Sequence, residues 1–78
     1  MTEFDERLDL TGLHCPLPIL KAKKRLHELE AGQTLCVLAD DPGSVKDFEA
    51  FSRQTGNELL ELQELPDHYQ FVLRKRHG

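Results

Sequence analysis

Gly12-Leu13-His14-Cys15-Pro16-Leu17-Pro18 is where a strand pattern gives way to a helix pattern, and the order of elements follows from that change. Before it, Leu8 and Leu10 alternate with Asp9, a short strand broken by Thr11-Gly12. After it, from Pro16 to Leu29, the residues Ile19, Ala22, Leu26 and Leu29 recur at helical spacing and predict one buried stripe. Lys21, Lys24, Arg25 and Glu28 fall on the opposite face. Leu17 projects near that polar side and is expected at the surface. Ala31-Gly32 ends the helix, and the apolar run from Thr34 to Ala39 reads as a second strand.

Asp40-Asp41-Pro42 marks a second helix start, with Asp41 as N-cap and Pro42 at the first helical position. Ser44 with Asp47 offers a rival start resembling a capping box. Val45, Phe48 and Phe51 form the apolar stripe of this helix, and Gly56 is a stop signal. Two runs of period-two alternation, Glu58 to Leu65 and His68 to Lys75, flank Pro66-Asp67 and predict a hairpin. The order is βαβαββ, which predicts a two-layer α/β sandwich: a four-stranded mixed sheet, a right-handed crossover, and two helices on one face. Both helix starts then lie along the sheet edge where ligands of open α/β sheets bind.

Cys15 stands at the predicted start of the first helix, where unpaired backbone amides and the macrodipole present partial positive charge. Pro16 and Pro18 fit there, since a helix start leaves their missing donors unpaired in any case. Neither can donate to a sulfur anion, so backbone support must come from amides such as those of Leu17 and Ile19. Pro18 also disfavours an α conformation at Leu17. A helix-terminal effect of about 0.3–1 kcal/mol lowers a thiol pKa by less than about one unit from about 8.5. That raises the neutral-pH thiolate from a few per cent to about a fifth, enough for thiol exchange. Asp40 and Asp41 on the same edge oppose the effect with similar size, which leaves the net direction open.

Other candidates read more plainly. Cys36 lies mid-strand and is expected to be a buried structural residue, too far from Cys15 for a disulfide. His14 adjoins Cys15, but no third group orients a catalytic pair. His27, His68 and His77 lack the paired spacing of zinc sites, so no metal and no cofactor is expected. The face of Lys21, Lys24 and Arg25 is either a solvated helix surface or a docking face for an acidic partner, and exposed Leu17 beside the thiol favours a protein partner.

The chain of 78 residues predicts one domain, residues 1–78. Two cysteines make no disulfide framework, and Met1 to Asp9 carries four acids without an apolar run. Neither a signal peptide nor a membrane span is expected, which points to the reducing cytoplasm. The net charge of −4 argues against direct nucleic-acid binding, although basic residues cluster at Lys21 to Arg25 and Arg74 to Arg76. A monomer is expected.

These residues resemble the TusA (SirA-like) family of small sulfur-carrier proteins. The likeness lies in Cys-Pro-x-Pro at Cys15 to Pro18 with Gly12 and Leu13 before it, Ala39-Asp40-Asp41-Pro42 with Ser44 following, Gly56-Asn57-Glu58-Leu59, and Arg74-Lys75. The resemblance implies that Cys15 is the sole covalent site, accepting sulfane sulfur as a persulfide and relaying it to another thiol. It implies a donor such as a cysteine desulfurase or rhodanese and a DsrE/TusD-like acceptor. The pathways it implies are tRNA thiolation, molybdenum cofactor synthesis or oxidative sulfur metabolism. Leu17 stands where some tRNA-thiolation members carry an acid, so the pathway does not follow from the family. Gly12, Pro16 and Pro18 are the expected positioning residues, and Leu17, Lys21, Lys24 and Arg25 the expected docking residues. The competing reading is a regulatory adaptor that binds its partner through the basic helix face, with the thiol incidental. A third, an RNA-binding domain, rests on the basic clusters alone.

Overall fold

The computed structural model describes residues 4–14 and 16–76; Cys15 and His77 lie outside them. The order is β1 (Glu6–Asp9), α1 (Leu17–Glu28), β2 (Thr34–Ala39), α2 (Ser44–Thr55), β3 (Glu58–Glu64) and β4 (Tyr69–Arg74). The four strands form one mixed sheet in the order β1-β2-β4-β3. β1 is parallel to β2, while β4 is antiparallel to both β2 and β3.

From Leu35 to Ala39 β2 is apolar, with side chains buried on both of its faces. Leu35, Val37 and Ala39 join Ala22, Leu26, Phe48, Phe71 and Leu73 in the main core, which places both helices on that face. Phe48 stacks on Phe71 at 4.5 Å and meets Phe51 edge-on at 6.3 Å. On the other face, Cys36 and Leu38 pack with Val72. β1 begins earlier than the alternation of Leu8 and Leu10 indicates, because Glu6 and Arg7 pair with Leu35 and Cys36 through the backbone. Leu65 N–H donates to the His68 carbonyl at 2.8 Å and closes the expected hairpin around Pro66-Asp67.

The helix starts refine the sequence reading. Pro16 is the N-cap of α1, with φ −97° and ψ 13°, and Leu17 is the first helical residue despite the proline after it. The start of α2 is neither of the two expected caps. Asp41 accepts Gly43 N–H on its carboxylate at 3.0 Å and Ser44 N–H on its carbonyl at 2.9 Å, making a turn that contains Pro42. The regular helix then begins at Ser44, with Gly43 as N-cap and no side-chain capping bond.

Because Asp9 pairs with Leu38 in a parallel ladder, β1 and β2 end side by side, and α1 and α2 both start at that edge. Both helices therefore stop at the opposite edge. There Gly56 takes the left-handed conformation, φ 81°, and its N–H donates to Ser52 O. Lys75 Nζ donates to the carbonyls of His27, at 3.0 Å, and Leu29. The Arg76 guanidinium donates to Thr55 O at 3.1 Å. Cations thus meet the negative ends of both helix dipoles.

Candidate functional site

The loop from Leu10 to Pro16 joins β1 to α1, and the chain is held on both sides of the Cys15 position. Asp9 Oδ1 accepts Thr11 N–H at 3.0 Å and the Thr11 hydroxyl at 2.7 Å, and these bonds hold its carboxyl below the usual range. Gly12 follows with φ +85°, a left-handed turn that an L side chain adopts only with strain. Its N–H donates to both carboxylate oxygens of Asp40, each at 3.0 Å, tying the loop after β1 to the end of β2.

Side chains alternate between anchoring and exposure along the motif. Leu13 packs against the main core and Pro18 is fully buried, while His14, Pro16 and Leu17 are exposed. The Leu17 amide donates to His14 O at 2.9 Å, so this expected support for a sulfur anion is already engaged. α1 has no side-chain cap and no acid in its first turn. Its dipole is therefore unopposed within the helix at the end that follows Cys15 in the chain.

The expected docking residues separate into two kinds. Lys21 and Lys24 are exposed, and Leu17 and Leu20 are exposed apolar residues at 44% and 54%. Arg25 instead reaches Glu6 on β1 and Glu28 on its own helix, and the bond to Glu6 leads the effects that raise its pKa. Its charge serves to join α1 to the edge strand. Asp40, read from sequence as part of a helix start, serves as the clamp on Gly12; nothing local in the sequence signals that contact across 28 positions.

Cys36 is 1% exposed, and burial pushes its thiol pKa up, with smaller opposed effects of Arg7 and Glu61. Among the described residues no group of His, Cys, Asp and Glu side chains is arranged to hold a metal ion. None of the described helices is long and apolar enough to cross a membrane.

The two-layer βαβαββ sandwich is the fold of a SirA-like protein. The crystal structure of a SirA-like protein from Desulfitobacterium hafniense matches with a TM-score of 0.82 at 28% identity, covering 94% of this chain and 100% of that one. The chain belongs to the sulfurtransferase TusA family, whose family model matches residues 6–75. It is 56% identical over 75 residues to the sulfur carrier protein TusA of Allochromatium vinosum, covering 96% of this chain and 99% of that protein. A putative sulfur carrier protein of Neisseria meningitidis serogroup A is 51% identical over 71 residues, covering 91% and 96%. A putative sulfur carrier of Bacillus subtilis is 44% identical over 71 residues, covering 91% and 95%.

Proposed function

We propose that this protein is a cytoplasmic, single-domain sulfur carrier in which Cys15 is the only covalent site. The Cys15 thiolate attacks the outer sulfur of a donor persulfide. The sulfur–sulfur bond of the donor breaks, and the donor leaves as its thiolate while Cys15 becomes a persulfide. An acceptor thiolate then attacks the outer sulfur of that persulfide, taking the sulfane sulfur and releasing the Cys15 thiolate. Each step forms one S–S bond and breaks another, so no external oxidant or reductant enters. A cysteine desulfurase or rhodanese suits the donor role, and a DsrE/TusD-like protein the acceptor role.

The observation that carries this reading is the anchoring of the loop on either side of Cys15. Asp40 on Gly12, together with inward Leu13 and Pro18, fixes the chain, while His14, Pro16 and Leu17 remain open to a partner. Exchange chemistry needs such access more than it needs acid–base groups. Incubation with a cysteine desulfurase and cysteine should add sulfur to the intact protein, and a reductant should remove it. A Cys15→Ser variant should gain none; equal gain by that variant would refute the assignment.

A further inference from the structure

Where α1 and α2 run side by side toward their C-terminal ends, they leave a surface groove of about 890 Å³. Its apolar lining includes buried Leu26 and Phe51, and Leu20 borders it with 54% of its surface exposed. Lys23, Lys24, Lys75 and Arg76 line it against one carboxylate, Glu28, which is paired with Arg25. Lys75 and Arg76 are fixed on helix-end carbonyls, whereas Lys23 and Lys24 have no ion pair among the described residues. This basic patch sits on a chain whose net charge is −4.

We propose that the groove docks an acidic segment of a partner protein, one in which carboxylates alternate with bulky apolar side chains. The cations select the charge, and Leu20 with the apolar lining takes the apolar residues. A nucleic acid fits less well, because the groove's one Phe, Tyr or Trp side chain among the described residues, Phe51, is only 6% exposed and leaves little large ring face for bases to stack on. Along α1 the lining includes Leu20 and His27, about 10.5 Å of helix apart at 1.5 Å per residue. The identity of that partner as donor or acceptor rests on the relay reading, but binding to the groove does not.

The test is an NMR titration of the isotopically labelled full chain, without sulfur, using an N-acetylated synthetic peptide of alternating Glu and Leu. The expected result is saturable binding, with amide shifts centred on Leu20, Lys23, Lys24, Gln54, Thr55 and Asn57. Added salt should weaken it, and charge reversal of both Lys23→Glu and Lys24→Glu should weaken it about tenfold. Leu20→Ala, at an exposed position that leaves the core intact, should weaken it about threefold. Unchanged binding by Cys15→Ser supports the groove independently of the relay chemistry. The proposal is overturned by absence of saturable binding, by shifts centred on the open sheet face, by equal binding of a Lys-Leu peptide, or by equal binding of oligouridylate.

Discussion

At the edge where α1 and α2 begin, the chain gathers Asp9, Asp40 and Asp41 around loops, and neither helix has a side-chain capping bond. At the edge where they stop, Lys75 and Arg76 cross from the end of β4 to the last carbonyls of each helix. The second arrangement follows the helix dipoles and stabilises both helix ends at once. The first leaves the α1 dipole without a capping group at the point where the chain carries Cys15. The difference separates a closed edge that holds the layers together from an open edge where His14, Pro16 and Leu17 are exposed.

The largest expected contrast is in thiol reactivity. At neutral pH, alkylation should modify one thiol per chain, at Cys15, while Cys36 reacts at least about a hundredfold more slowly until denaturant is added. Peptide mapping of the alkylated sites checks this, and fast labelling of Cys36 would erase the contrast. Next, Asp40→Ala should cost about 1–2 kcal/mol in denaturant unfolding, because it leaves the Gly12 amide without its charged acceptor. Gly12→Ala should cost about 1 kcal/mol through backbone strain alone, since an added Cβ meets nothing within 4 Å. At the other edge, Lys75→Ala should cost about 0.5–1 kcal/mol, with early fraying of the last α1 turn in amide exchange.

The smallest effect is a pH dependence. The fold favours the neutral Cys36 thiol, so the folded chain keeps that proton after the unfolded chain has released it. The resulting stability is complete below the ordinary thiol pKa and is lost as pH rises through the raised folded value. Melting temperatures of the wild type should therefore fall more steeply under alkaline conditions than those of Cys36→Ala. Parallel slopes would show that Cys36 has no part in the alkaline loss.

The elements themselves were legible because burial imposes periodicity. Phe48 and Phe51 share one helix stripe, and continuous apolar β2 lies between two strands and under both helices. The exposure of Leu17 was legible too, since that residue falls off the apolar stripe. What could not be read were contacts whose partners are distant in the chain. Asp40 has the local signature of a helix start, yet its carboxylate is used on Gly12. Arg25 looks like part of a free basic face, yet β1 brings Glu6 to it. Lys75 and Arg76 follow the last strand, and only the sheet order carries them to the helix ends. Charged side chains carry no periodic requirement of their own, so their partners emerge only when the layers are assembled.

In the proposed relay, sulfur enters at the open edge and nowhere else. Site-resolved mass spectrometry after reaction of the native chain with a persulfide donor tests it most directly. The expected result is added sulfane sulfur on the peptide containing Cys15 and none on the peptide containing Cys36. Sulfur found on Cys36, or divided between the two thiols, would contradict the account.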